Sequence, residues 1–220
     1  MVKSVLVTLT SPSAAGKSYL LNHIRDAGLP CLISTTTRFP RAGEVEGYDY
    51  FFISEEESKR IEAEDGFAEL AIFNGKRYGV TKQEFKSKLD TGLTFLIVEP
   101  SGIDHYVKPA LDVGAVHLKY YIHTDPEVRI QRFRERALRD ISKAISFDIQ
   151  TARYDSALEK PCNDTIKTIS SAFDRFKLML TTEMNWGQAA TWDRILFGDK
   201  PPAENLEIIL RDVESIQKQH

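Results

Sequence analysis

The sequence predicts an α/β protein with a central parallel sheet flanked by helices. Three observations carry this prediction. The chain opens on a strand, a loop of small residues and a helix. Short β-branched runs then alternate with helix-period segments. Between them lies a polar, aromatic, glycine-hinged stretch with no core periodicity.

Each element has a local reason. Val5 to Leu9 is an apolar β-branched run, the mark of a buried strand. Leu20, Leu21 and Ile24 share a helical face, and Gly28 with Pro30 stops that helix. Cys31 to Ser34 is read as a second strand. Ser54 with Glu57, and Thr81 with Glu84, are capping-box pairs ahead of two helices, the second carrying Phe85 and Leu89 and ending by Gly92. Phe95 to Glu99 and Val116 to Ile122 are strands, the first with an acid at its carboxyl end. Pro126 sits in the first turn of a long helix capped by Thr124 and Glu127. In the segment from about Asp155 to Ala190, Ile166, Ile169, Phe173, Phe176 and Leu180 recur at three and four residues, an amphipathic stripe. "RILF" is a last strand and "AENLEIILRDVESI" a last helix. Ligands of such sheets bind beyond the carboxyl ends of the strands.

At 220 residues the chain holds one domain with a subdomain. Its net charge of −3 argues against a nucleic-acid partner. No apolar run reaches membrane-spanning length, so no membrane contact is expected. Cys31 and Cys162 make no metal-type spacing with the five histidines. Sparse cysteine and the lack of a signal-peptide pattern give a cytoplasmic expectation.

The loop "SPSAAGKS", Ser11 to Ser18, nearly spells G-x-x-x-x-G-K-[ST]. Between a strand and a helix, such a loop aims backbone amides and the helix N-terminus at phosphate oxygens. Its lysine neutralises them, and the next hydroxyl can ligate magnesium. Gly16, Lys17 and Ser18 fill those positions, while Ser11 and Ala14 stand where glycine is usual. A positive φ at either one would cost about 1–3 kcal/mol. Farther on, Arg38, Arg41, Tyr48 and Tyr50 lie in one hinged segment, the forks and hydroxyls that orient a phosphate. Arg129, Arg132, Arg136 and Arg139 fall on one face of the long helix, a stripe of like charge that points to an anionic ligand.

The run "STTTRFPRAGEVEGYDY" resembles the guanylate kinase family, whose pattern S-x-T-T-R-x-P-R-x-G-E-x-x-G-x-D-Y it matches at Ser34, Thr36, Thr37, Arg38, Pro40, Arg41, Gly43, Glu44, Gly47, Asp49 and Tyr50. The likeness continues through "GFAELAIFNGKRYGV", "DPEVRIQRFRER" and "WDRILFGDKPPAENLEIIL". It implies a P-loop kinase fold whose core is residues 1–34, 93–125 and 191–220. Residues 35–92 would be a small mixed α+β nucleoside-monophosphate-binding subdomain, 126–153 the helical lid, and 155–190 an extra helical segment.

It also implies site roles. Ser13, Ala14, Ala15, Gly16, Lys17, Ser18 and Tyr19 would bind ATP, with Ser18 and Glu99 at Mg2+. Ser34, Arg38, Arg41, Glu44, Tyr50, Tyr78, Val80 and Glu99 would line the acceptor nucleotide's site, and Glu69 would accept the N–H groups of guanine. Lys17, Arg132, Arg136 and Arg153 would serve the transfer itself, from ATP to GMP or dGMP.

Val80 stands where the family has a hydroxyl reaching the guanine carbonyl, Ile97 where it often has an acid, and Ser101 where it has glutamine. These departures keep open an altered or modified acceptor, and a non-catalytic binding module of the same fold. The segment 155–190 is longer than the family's. Its stripe is read as packing on its own domain, with a homodimer interface or a cover over the acceptor site as the sharper readings.

Overall fold

The computed structural model describes residues 3–40, 44–73, 75–154 and 163–218; Arg41 lies outside them. The elements run β1 (Val5–Thr10), α1 (Lys17–Asp26), β2 (Thr35–Thr36), β3 (Phe51–Phe52), α2 (Glu55–Ala63), β4 (Phe67–Phe73), β5 (Lys76–Thr81) and α3 (Lys82–Leu89). There follow β6 (Leu93–Ile97), α4 (Val107–Asp112), β7 (Val116–His123), α5 (Pro126–Tyr154), α6 (Asn163–Thr181), β8 (Arg194–Phe197) and α7 (Pro202–Lys218).

Two sheets result. The larger is parallel throughout, in the order β6-β1-β7-β8. All six residues of β1 are buried, and their side chains alternate between the two faces. Val5, Val7 and Leu9 pack with Leu20 and Ile24 of α1 and with Ile209 and Val213 of α7. Leu6 packs on the opposite face with Phe85 and Leu89 of α3 and Ala110 of α4. The smaller sheet is mixed, in the order β3-β2-β5-β4, and stands beyond the end of β6.

Ser54 and Thr81 cap α2 and α3 through bonds from the amides of Glu57 and Glu84, as their spacing predicts. Two local expectations are corrected. Cys31 to Ser34 is not a strand: only Cys31 bridges to Phe95, because the chain is crossing from one sheet to the other and pairs regularly at Thr35 and Thr36. The cap of α5 is Asp125, whose carboxylate accepts from the Glu127 amide at 2.8 Å. Thr124 instead turns its hydroxyl to the carbonyls of Ala15 and His123, both at 2.9 Å.

Helices α5 and α6 form an antiparallel hairpin. The Phe133 and Phe176 rings meet at 5.7 Å, and at the other end Asp148 accepts from the amide and hydroxyl of Thr165 at 3.0 and 2.6 Å. The stripe on α6 is real, but most of it faces outward. Phe176 and Met179 turn toward the protein, while Ile166 and Phe173 are 61% and 67% exposed. After α6 a 3-10 turn, Glu183–Gln188, leads back to the parallel sheet.

Candidate active site

The loop between β1 and α1 wraps the end of the parallel sheet. Gly16 has φ of 98°, and α1 begins at Lys17 with its first-turn amides open to a ligand. Ala14 takes φ of 61°, the left-handed conformation that its lack of glycine makes costly; Ser11 does not, and is fully buried. Gly198, just after β8, closes the loop from behind. A Cβ there would lie 1.8 Å from the Ala15 carbonyl oxygen, so only glycine fits. Arg132 donates to the Gly198 carbonyl at 3.2 Å and, weakly, to that of Ala14 at 3.5 Å.

Around this loop lies an open cavity of about 770 Å³. Its walls include Ser13 through Tyr19, the arginines Arg132, Arg136 and Arg139, and the chain from Gly198 to Pro202. The guanidinium of Arg136 lies 5.4 Å over the Phe133 ring. Arg129 does not join that face. It is buried and pairs with Glu183 at 3.4 Å, an acid that sequence spacing on α5 could not supply. Arg153 is also separated from the cavity. From Pro126 onward α5 has neither glycine nor a second proline to bend it, and it runs unbroken to Tyr154. Seventeen residues at 1.5 Å each put Arg153 about 25 Å along the axis from Arg136.

A second cavity, of about 420 Å³, opens between the two sheets. Ser34, Tyr50, Glu69, Tyr78 and Glu99 line it, together with Tyr106. Lys17 lines both cavities, so its ammonium stands at their junction. Burial pulls the lysine below its ordinary pKa, and Glu99 and then Glu183 oppose that pull. Its ammonium donates to the Ser11 carbonyl at 3.4 Å.

Arg38 is held by a two-pronged pair with Glu44, both bonds 2.9 Å, over the ring of Tyr50. Its Nε is buried without a partner among the described residues, an open donor. Glu44 therefore orients Arg38. Glu69, with only 10% of its side chain exposed, accepts the Tyr106 hydroxyl at 3.0 Å, and His105 Nδ1 lies 3.5 Å from its other oxygen. Tyr106 and His105 had no sequence signal, since no spacing joins residue 69 to a turn 36 residues later. Val80 is not on the wall. It is fully buried beside Leu6, Phe85 and Leu96, although it lies only two residues along β5 from Tyr78, which lines the cavity. None of the residues from 163 to 190 lines this second cavity, so α6 is not its cover. Ser18 lies in the first turn of α1 and Glu99 just past β6, so both offer hard oxygen donors of the kind magnesium takes.

Comparison with known proteins agrees with this architecture. The guanylate kinase family model matches residues 3–175. A guanylate kinase of Fusobacterium nucleatum is 30% identical over 184 residues, covering 78% of this chain and 98% of its own length. One from Gloeobacter violaceus is 33% identical over 183 residues, covering 78% and 86%. In fold, the crystal structure of guanylate kinase from Anaplasma phagocytophilum superposes with a TM-score of 0.60 over 99% of this chain and 88% of that one, at 18% identity. The chain belongs to the guanylate kinase family.

Proposed function

We propose that the chain transfers the γ-phosphoryl group of ATP to GMP or dGMP, giving ADP and the guanine nucleoside diphosphate. One observation carries the reading: Lys17 is shared by a cavity built from a phosphate loop and arginines and by a cavity built around Glu69 and two tyrosines. A donor in the first and an acceptor in the second would meet at that ammonium.

Phosphoryl transfer asks for positioning and charge stabilisation more than for covalent chemistry. The acceptor's phosphate oxygen attacks the γ-phosphorus, and the bond from that phosphorus to the bridging oxygen breaks, releasing ADP. Loop amides and Lys17 hold the donor phosphates. Arg132 and Arg136 face the charge that spreads during transfer. Arg38, Tyr50 and Tyr78 hold the acceptor's phosphate, and Arg41 is proposed to join them. Glu69 accepts the two N–H donors of guanine and penalises bases that lack them. Ser18 and Glu99 would hold magnesium through oxygen, and the ion would supply positive charge to the donor phosphates. Closing the α5 arm over the donor would exclude water and suppress hydrolysis.

The test is a coupled ADP-release assay over a panel of ribo- and deoxynucleoside monophosphates, with Lys17→Ala as control. Turnover with GMP or dGMP that the control loses is expected. Faster turnover with a base lacking guanine's donors would refute the acceptor assignment, and no turnover with any acceptor would refute the kinase itself.

A further inference from the structure

Ser13, the third residue of the phosphate loop, is gripped by two buried side chains from far along the chain. Its amide and its hydroxyl donate to the two carboxylate oxygens of Glu183, each at 2.7 Å. Its carbonyl accepts from Arg129 Nε at 3.1 Å, and Arg129 Nη2 closes the triangle on Glu183 at 3.4 Å. Each of the two charged side chains is 4% exposed. A carboxylate so enclosed is costly unless its oxygens are satisfied; here three donors from two residues satisfy them.

The place of these residues is as telling as their bonds. Arg129 is three residues before Arg132 on α5, and Glu183 follows two residues after α6 ends. Both therefore ride on the hairpin that also presents Arg132 and Arg136 to the donor cavity. The residue they hold precedes Ala14, whose left-handed backbone persists only if its surroundings hold it there.

We propose that Glu183 and Arg129 are positioning residues for the donor nucleotide, fixing the phosphate loop through Ser13 and tying its shape to the position of the α5–α6 hairpin. The extra segment thus delivers a carboxylate under the phosphate loop rather than a cover over the acceptor. This rests on the kinase reading of the loop.

The experiment measures ATP and GMP binding separately by calorimetry, in the unmodified chain and in Glu183→Gln and Ser13→Ala, with a thermal melt of each. Glutamine can accept only one of the two Ser13 donors, so ATP binding is expected to weaken ten- to a hundredfold while GMP binding stays within twofold. Ser13→Ala, which removes one hydroxyl and keeps the amide, is expected to weaken ATP three- to tenfold and to change little in Glu183→Gln background. A folded Glu183→Gln with ATP affinity within twofold of the unmodified chain would overturn the proposal. So would equal weakening of both nucleotides, the sign of general loosening. Should Glu183→Gln fail to fold, Ser13→Ala decides: unchanged ATP affinity overturns the proposal. Normal ATP binding by the unmodified chain leaves the kinase reading standing whichever way the variants fall, and its absence would overturn both.

Discussion

Replacing Ala14 by glycine is expected to stabilise the chain. Ala14 holds φ of 61°, and an L-residue there pays about 1–2 kcal/mol that glycine does not. Glycine has a more flexible unfolded state, which costs roughly 0.4–1 kcal/mol in return. The difference leaves about 0.5–1 kcal/mol in favour of glycine. For a chain of this size that is roughly 1–4 °C in Tm. Ser11 is the internal control. It also replaces a glycine of the usual loop, but its φ is not positive and it is fully buried. Ser11→Gly therefore incurs the entropy cost without relief and is expected to destabilise by about 0.5–1 kcal/mol. Urea unfolding of both variants, with unchanged slope, measures the pair. Two changes of the same type, three residues apart, should move stability in opposite directions. A loss of stability in Ala14→Gly, or a gain in Ser11→Gly, would refute the assignment of strain to Ala14.

Three further outcomes are expected. Glu69→Gln removes the charge that the Tyr106 hydroxyl and the guanine donors share, so KM for GMP should rise about ten- to a hundredfold with KM for ATP unchanged, and guanine selectivity should fall. Val80→Ser, which opens space and buries a hydroxyl in an apolar cluster, should cost about 1–3 kcal/mol by denaturation while leaving KM for GMP within twofold; a large change in KM would put the side chain back at the base. His117, whose Nε2 meets the Thr8 hydroxyl at 2.9 Å, is pushed from 6.5 to about 4 by burial and then by Lys119, against opposing pulls from Asp193 and Asp104. The unfolded chain thus takes up that proton first, so this contribution is complete above about pH 6.5 and is lost as pH falls toward 4. NMR titration of the ring should show the low value, and His117→Gln should flatten the fall of Tm across that window.

The strand, phosphate loop and first helix are legible in sequence because one short stretch carries all of their causes: a β-branched run, two small residues and Gly16-Lys17-Ser18. The same holds for the caps at Ser54 and Thr81, where donor and acceptor are three residues apart. Legibility fails where partners are distant. Periodicity put Arg129 with Arg132, Arg136 and Arg139, yet it could not foresee a buried acid 54 residues away that takes Arg129 out of the set. It also found the stripe of α6 without showing what covers it, because a period defines a face and not a neighbour. Val80 shows the limit from the other side. Its position in a family pattern suggested a contact with the base, and alternation put it on the side of β5 that Tyr78 takes, yet Leu6 and Leu96 of the parallel sheet and Phe85 of α3 enclose it.

The tight seat of Gly198 against Ala15 has a consequence for how the molecule is made. The phosphate loop is synthesised well before its back wall, residue 198, and before its other props, Thr124, Arg129 and Glu183. A ribosome that has released only the first half of the chain has released a loop with nothing behind it. Donor nucleotide can therefore stabilise the newly made protein only after the β8 strand has emerged and docked. ATP then acts once β8 has docked and not on the steps before it.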